Sequence, residues 1–290
     1  MKTKQLLIGF LFALCAVLPA VAANDAPAFM AKVVGHGTPV ILIPGLSCSG
    51  EVWDGTVAQL QDRHECHVLT LAGFGGVPAR GEGVITPARD ALAGYIRAKH
   101  LSHPAVVGHS LGGLVALDLA AHEPGLVGKV VVVDAYPFLA GLQNPAISPE
   151  QAAALGSQIQ AQMETGPLDA YQALVRAGTF TRLMVRSDSD HDRIVAWGLA
   201  SDRHTAAIGV GEVMGRDYRD AIAAIKAPTL VFASWVAYSP YTDHARTEAA
   251  LRTQYAKLAG AQFAISDEAR HFLMLDEPQW FLQRLVVFLD

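Results

Sequence analysis

The chain has 290 residues, of which 51% are hydrophobic and 17% are charged, and its formal net charge is −5. This is enough apolar sequence for one large core, alone or with an inserted segment. The mild negative charge and the scattered lysines and arginines argue against nucleic acid as a partner.

The first residues have the pattern of a secretory signal peptide. Lys2 and Lys4 precede an apolar run, Leu6–Leu18, and small residues follow it. A run of 13 residues is too short to cross a bilayer as a helix, and the order basic, apolar, small is that of a signal peptide. Cleavage after residue 22 or 23 fits equally well. We therefore predict that residues 1–23 are removed, that the protein is secreted or periplasmic, and that the mature chain has a net charge of −7 and no membrane span.

The mature chain alternates short apolar runs with longer helical patterns, which predicts an α/β fold with a mostly parallel central sheet flanked by helices. The predicted strands are near-continuous apolar runs, as is typical of strands buried on both faces: Val40–Ile43, His67–Leu71, Ala105–Val107, Lys129–Val133, Thr229–Ala233 and Gln262–Ile265. Helical patterns follow several of these strands: Val52–Gln61, Pro87–Lys99, Leu111–His122, Ala245–Leu258 and Pro278–Leu289.

The interval between Val133 and Thr229 interrupts this alternation. About 95 residues there contain no convincing strand pattern, although a crossover between parallel strands needs only about a dozen. Their helical patterns cover Pro149–Met163, Leu168–Val185, Arg193–Ser201 and Asp217–Ile225. We therefore predict a helical cap over residues 138–225, inserted after the strand that ends near Val133 into a core of residues 24–137 and 226–290.

One segment has the sequence of a nucleophile elbow. Gly108-His-Ser-Leu-Gly112 lies between the strand pattern at Ala105–Val107 and the helical pattern at Leu111–His122. A G-x-S-x-G turn is so tight that the positions two residues before and after the serine need almost no side chain. The serine is then exposed at a helix N-terminus, whose N–H groups favour a developing negative charge. Ser110 is therefore the predicted nucleophile.

A serine hydroxyl needs a general base from elsewhere in the chain. His271 is the candidate, because it follows the last predicted strand and precedes the helical pattern at Pro278–Leu289. The other histidines lie mostly in loops or at strand starts, where a solvated polar residue is the simpler interpretation. His109, inside the elbow, is expected to support the turn rather than to act as the base.

Six segments resemble motifs of the α/β-hydrolase superfamily and occur in the family's order from about residue 38 onward. They are Val40-Ile-Leu-Ile-Pro-Gly-Leu46, Trp53-Asp54, Leu71-Ala-Gly-Phe-Gly-Gly76, Gly108-His-Ser-Leu-Gly-Gly113, Ile225-Lys-Ala-Pro-Thr-Leu-Val231 and Arg270-His-Phe272. The resemblance implies a capped, esterase-type fold with a Ser–acid–His triad in that chain order. It also implies an oxyanion hole formed by the backbone N–H groups of Leu46 and Leu111. Pro44 replaces the histidine that most relatives have there, which leaves a backbone donor intact.

The acid of the triad is left open by the sequence. In most relatives it follows the strand that here is Thr229–Ala233, but no carboxylate comes after this strand before Asp243. Asp243 immediately precedes a helical pattern, so a helix N-cap is a strong alternative role for it. Asp134 follows the strand pattern Lys129–Val133, where some lipases and dehalogenases of this fold carry the acid and many relatives carry a non-catalytic aspartate. We take Asp134 as the acid and Asp243 as the alternative.

These residues predict a serine hydrolase that cleaves a carboxylic ester, or a related acyl bond, of a small molecule through an acyl-enzyme intermediate. The mechanism requires no cofactor, and the sequence contains no metal-ligand motif. A carbon–carbon bond hydrolase or an acyltransferase on the same triad is the alternative, since this fold hosts both. A non-catalytic protein that holds a small ligand under the cap is the alternative from another class. The oligomeric state and the substrate's identity are not predicted.

The two cysteines that follow the signal peptide are predicted not to be joined. Cys48 follows the first predicted strand, whereas Cys66 precedes the second, at the opposite end of the sheet. The helical pattern between them, Val52–Gln61, spans about 15 Å, and a disulfide needs Cα atoms within about 7 Å of each other.

Overall fold

The computed structural model describes residues 26–81, 83–236, 239 and 242–290. Its strands are β1 (Phe29–Val34), β2 (Thr38–Ile43), β3 (His64–Leu71), β4 (Ala105–His109), β5 (Lys129–Val133), β6 (Thr229–Ser234) and β7 (Gln262–Ser266). They form a seven-stranded sheet in the order β1-β3-β2-β4-β5-β6-β7. Strand β1 is antiparallel to β3, and all other neighbours are parallel. The predicted signal peptide, residues 1–23, lies outside the described residues.

The helices are α1 (Asp54–Leu60), α2 (Ile85–Ala98), α3 (Leu111–His122), α4 (Leu139–Gln143), α5 (Pro149–Thr165), α6 (Leu168–Ala177), α7 (Thr179–Met184), α8 (Asp188–Leu199), α9 (Arg203–Gly215), α10 (His244–Gln254), α11 (Leu273–Asp276) and α12 (Pro278–Leu289). Short 3₁₀ helices cover Gly50–Trp53 and Ala221–Ala224. The predicted α/β fold, a mostly parallel sheet flanked by helices, is confirmed.

Both faces of the central strands are buried, which explains their continuous apolar runs. In β2, Ile41 and Ile43 belong to the core cluster that includes α2 and α3. The alternate residues, Val40 and Leu42, belong to the cluster on the other face, with α1 and α12. Strand β1 is absent from the predicted strands because it is an edge strand. Lys32 interrupts its apolar sequence, and residues 30–33 are exposed.

Helices α4–α9 occupy the interval between β5 and β6, and none of residues 138–225, all of them described, lies in a strand. The single helix predicted over Leu168–Val185 is wrong. Gly178 adopts a left-handed conformation with φ of 60° and divides the segment into α6 and α7. The helix predicted over Asp217–Ile225 is also wrong, since only the short 3₁₀ helix Ala221–Ala224 forms there.

Helix α9 is absent from the predicted helices, and its glycines explain why. Glycine disfavours a helix by about 1 kcal/mol relative to alanine, but here glycines let two backbones touch. A Cβ atom at Gly156 of α5 would lie 2.3 Å from the carbonyl oxygen of Gly211 of α9. Two residues earlier in α9, a Cβ atom at Gly209 would lie 2.5 Å from Leu46 Cδ1 and 3.3 Å from Leu111 Cδ1. Helix α9 therefore lies directly over the loop after β2 and the start of α3.

Helices α6 and α7 differ from α9, since neither has a buried residue. Leu174, Phe180 and Leu183 are 69%, 69% and 62% exposed.

Across the part of the chain that the structure describes, no helix combines the length and the hydropathy that crossing a bilayer requires.

Cys48 and Cys66 are both buried and free, as the sequence predicts. Burial raises the pKa of the Cys48 thiol to about 12 and that of the Cys66 thiol to about 11.

Candidate active site

Ser110 lies in a tight turn between β4 and α3, at the carboxyl edge of the sheet. Its φ is 51° and its ψ is −120°, a backbone conformation that non-glycine residues rarely adopt. The glycines around it have a steric cause. A Cβ atom at Gly108 would lie 2.1 Å from the carbonyl oxygen of Gly112, and one at Gly112 would lie 2.5 Å from that of Ile43. The sequence thus forms the strained elbow that exposes a serine above the sheet.

His271 and Asp134 are brought together by the fold, although 137 positions separate them. The distance from His271 Nδ1 to Asp134 Oδ2 is 2.6 Å. The other carboxylate oxygen accepts a hydrogen bond from the N–H of Ser234, at the end of β6, at 2.9 Å. Asp134 itself has a φ of 48° and is only 3% exposed. The carboxylate therefore leaves the end of β5, reaches across to β6 and contacts the imidazole.

Asp243, the alternative acid, lies elsewhere. It is the N-cap of α10, and its side chain accepts a hydrogen bond from the N–H of Arg246 at 2.9 Å. The side chain is 61% exposed. This is the helix-capping role that the sequence offers as its alternative, and the carboxylate on His271 is that of Asp134.

The His271–Asp134 contact determines which nitrogen of the imidazole carries a proton and which one can accept a proton. A carboxylate accepts hydrogen bonds, so His271 Nδ1 carries the proton of this pair and Nε2 is left able to accept one. Within the described residues, Ser110 Oγ donates no hydrogen bond to His271. Such catalytic hydrogen bonds are often long in an enzyme without substrate and shorten when substrate binds.

His109 contacts the backbone of His271 from the interior of the protein. It is fully buried, and its Nε2 lies 3.0 Å from the carbonyl oxygen of His271. The two imidazole centroids are 4.5 Å apart. Burial, and next the positive charge that His271 can carry, hold the pKa of His109 well below its usual value. His109 is therefore neutral, and its Nε2–H donates to the backbone carbonyl of His271.

Leu46 follows Gly45, which lies against the serine, and Leu111 follows Ser110 at the start of α3. In the part of the chain that is described, neither of their backbone N–H groups donates a hydrogen bond to another group of the protein. Gly45 lets the first of these donors approach, because a Cβ atom there would lie 2.8 Å from His109 Nδ1 and 3.2 Å from Ser110 Cβ. Free N–H groups near a serine, one of them at a helix N-terminus, are the type of donor that can bind an anion.

Several supporting residues could not be recognised from the sequence. Ser234 donates to Asp134 through its backbone, which no side-chain pattern reveals. Gly209 touches Leu46 and Leu111 only because α9 folds back over the site. These contacts join segments that are far apart in the chain, so no local sequence pattern indicates them.

Comparison with known proteins agrees with this geometry. A model of the Alpha/beta hydrolase family matches residues 40–284. The chain is 26% identical over 254 residues to a pimeloyl-[acyl-carrier protein] methyl ester esterase of Aeromonas hydrophila, covering 86% of this chain and 94% of the relative. It is 26% identical over 257 residues to a putative carbamate hydrolase, RutD, of Rhizobium rhizogenes, covering 86% and 92%.

Solved structures show the same fold. The enol-lactonase from Burkholderia xenovorans LB400 superposes with a TM-score of 0.74 at 20% identity, covering 92% of this chain and 98% of the other. An esterase from Exiguobacterium antarcticum superposes with a TM-score of 0.74 at 16% identity, covering 91% and 97%.

Proposed function

We propose, for a chain that belongs to the alpha/beta hydrolase family, that Ser110, His271 and Asp134 are its catalytic triad and that Leu46 and Leu111 supply its oxyanion hole. The protein is an enzyme that hydrolyses esters, in keeping with its family and its curated relatives. The observation that carries the residue assignment is the 2.6 Å contact between His271 Nδ1 and the buried Asp134 carboxylate, beside a serine in an elbow.

The reaction is acyl transfer to water. His271 Nε2 accepts the hydroxyl proton of Ser110 as the serine oxygen attacks the ester carbonyl. The N–H groups of Leu46 and Leu111 stabilise the oxyanion of the tetrahedral intermediate. The alkoxide leaves with the proton that His271 returns, which gives an acyl-enzyme. Water, deprotonated by the same imidazole, then releases the acid and restores the serine.

Asp134 serves this cycle by its charge and its position. It holds His271 in the tautomer with Nε2 unprotonated and stabilises the imidazolium that forms in each half-reaction. Its second oxygen is held by the N–H of Ser234, so the carboxylate has a fixed orientation. We propose that the substrate is the carboxylic ester of a small molecule.

Hydrolysis of p-nitrophenyl esters from acetate to palmitate by the mature enzyme tests this function, with Ser110→Ala as the matched control. We expect turnover of at least one chain length and a loss of about 10⁴-fold or more in Ser110→Ala. Labelling of Ser110 by a fluorophosphonate should be lost in the same variant. Wild-type turnover no greater than that of Ser110→Ala would refute the assignment of the nucleophile.

We also propose that the enzyme is exported. The support is the order of basic, apolar and small residues at positions 1–23. Expression of the full chain in a Gram-negative host, followed by N-terminal sequencing of the periplasmic and culture fractions, should find a chain that begins at residue 23 or 24. A full-length chain confined to the cytoplasm would contradict export.

A further inference from the structure

We infer that Arg270 and Asp276 are positioning residues that fasten the loop carrying His271 to the cap, so that the cap itself holds the base in place. The inference rests on the proposed function. We call residues 267–272 the histidine loop and residues 182–186, which are the last residues of α7 and the two that follow it, the cap junction.

The histidine loop has no regular secondary structure of its own. It lies between β7 and α11, and no residue in it belongs to a strand or a helix. The core holds it at Ala269, whose carbonyl oxygen accepts from Ser234 Oγ at 2.6 Å and whose N–H donates to Ser266 Oγ at 2.7 Å. The other backbone groups near His271 need partners elsewhere, because buried backbone groups are rarely left unpaired.

The cap junction supplies partners on both sides of His271. Arg270 Nη1 donates to the carbonyl oxygens of Arg182, at 2.6 Å, and Val185, at 3.0 Å. The N–H of Phe272 donates to the carbonyl oxygen of Met184 at 3.2 Å. These carbonyls lie at the C-terminal end of α7, where the helix leaves acceptors without intrahelical partners and favours a cation. Both chain neighbours of the base are therefore bound to one turn of the cap.

Asp276 joins the same two segments through a single carboxylate. Its Oδ1 accepts from the N–H of Arg186 at 2.8 Å, and its Oδ2 accepts from the N–H of Arg270 at 2.8 Å. Burial raises the pKa of this carboxyl, while these two backbone hydrogen bonds oppose the rise. Because one rigid group accepts from both segments, it fixes the spacing between the cap junction and the histidine loop.

A further link between these segments provides a matched control. Arg186 Nη1 lies 3.3 Å from Glu268 Oε2, but the two side chains are 48% and 67% exposed. An ion pair in solvent contributes little to holding two segments together. Glu268→Gln thus removes a charged link between the cap junction and the histidine loop without disturbing the backbone hydrogen bonds.

The first test is the kinetics of Asp276→Asn and Arg270→Gln with a short p-nitrophenyl ester. Asparagine has a single amide oxygen in place of the two carboxylate oxygens, so it can accept from only one of the two N–H groups. Glutamine is neutral and shorter than arginine, so it cannot replace the charged group that donates to both carbonyls. We expect kcat to fall about 10- to 100-fold, as for other small displacements of a catalytic group. We expect KM to change by less than about twofold, because the lost support acts on proton transfer rather than on ground-state binding. Glu268→Gln should keep kcat within about twofold of the wild type.

The second test follows the His271–Asp134 hydrogen bond directly. The Nδ1 proton in a contact of 2.6 Å should give a far-downfield ¹H NMR resonance, identified by its absence in His271→Ala. We expect this resonance to shift upfield or broaden in Asp276→Asn and Arg270→Gln and to stay unchanged in Glu268→Gln. Circular dichroism must show that each variant is folded.

Folded Asp276→Asn and Arg270→Gln enzymes with wild-type kcat and a wild-type resonance would overturn the inference. If Asp276→Asn does not fold, Arg270→Gln alone decides the test. The Arg270 side chain is only half-buried, so its replacement should be tolerated by the fold. If the wild-type enzyme hydrolyses no ester, the proposed function fails, whereas the resonance still tests whether Arg270 and Asp276 position His271.

Discussion

The ends of β5 and β6 lie side by side at the carboxyl edge of the sheet, and they contribute to the site in different ways. Strand β5 is followed directly by Asp134, whose positive φ and buried carboxylate bring its side chain to His271. Strand β6 ends in Ser234, whose N–H donates to that carboxylate. Asp243, the next carboxylate after β6, is an exposed residue that caps α10. Neighbouring strands can therefore share one function, with one providing the charge and the other the hydrogen bond that orients it.

The largest expected effect comes from Asp134→Asn. An asparagine amide can donate to His271 Nδ1, which leaves Nε2 protonated and unable to accept the Ser110 proton. We expect kcat to fall about 10⁴-fold, with a far-ultraviolet circular dichroism spectrum like that of the wild type. The same assay on Asp243→Asn sets the comparison, and a larger loss in that variant would assign the acid to the β6 loop.

The second prediction concerns how the stability of the protein depends on alkaline pH through Tyr255, which contacts the chain just after β5. Burial, and next the charge of Asp134, raise the pKa of Tyr255 well above its usual value of about 10, and its hydroxyl donates to the carbonyl oxygen of Ala135 at 2.8 Å. Above pH 10 the unfolded chain releases this proton while the folded chain retains it, so stability falls as pH rises. Tyr255 alone should contribute about 1.4 kcal/mol of this loss per pH unit.

Urea denaturation of the wild type and of Tyr255→Phe between pH 9 and 11 measures this share as the difference between their pH dependences. Tyr255→Phe should be less stable at neutral pH, because the Ala135 carbonyl loses its donor, but its stability should depend less steeply on pH. Parallel pH dependences for the two proteins would mean that Tyr255 is not the group that titrates.

The third prediction concerns the end of β6. Ser234→Ala keeps the backbone N–H that binds Asp134 but removes the hydroxyl that donates to the buried carbonyl of Ala269. Leaving that carbonyl unpaired should lower the free energy of unfolding by about 2 kcal/mol. Because the triad hydrogen bonds remain, kcat should fall far less than in Asp134→Asn. A loss of activity equal to that of Asp134→Asn would show that the hydroxyl, rather than the N–H, orients the acid.

The smallest effect is expected at Asp243. Asp243→Ala removes the N-cap of α10 and should lower the free energy of unfolding by about 1 kcal/mol, whereas Asp243→Asn, which can still cap, should change it less. Both variants should retain nearly all ester hydrolysis. Thermal denaturation and the p-nitrophenyl ester assay measure the two quantities.

The sequence predicts well those features that depend on neighbouring residues. Lys129–Val133 and Leu111–His122 have the same bounds in the prediction and in the structure, because both are apolar segments next to tight turns. The elbow serine is recognisable for the same reason. Helix α9 is different, because its three glycines disfavour a helix in isolation. The helix forms where these glycines allow close contact with α5 and with Leu46.

The choice between Asp134 and Asp243 also depends on more than local sequence. Both residues follow a strand of the sheet, and either loop could in principle reach a histidine. The choice depends on the left-handed backbone at Asp134 and on the position of Ser234, which are consequences of strand pairing. The resemblance to a family therefore identified the type of residue, and the geometry distinguishes the two candidates.

The two buried cysteines have a consequence for how this protein can be made. A thiol with a pKa of about 12 at Cys48, or about 11 at Cys66, is almost never a thiolate near neutral pH, and the thiolate is the form that oxidises or exchanges with disulfides. The described chain also has no disulfide to form. The folded enzyme should thus be equally stable with and without reductant, so it can be purified under either condition.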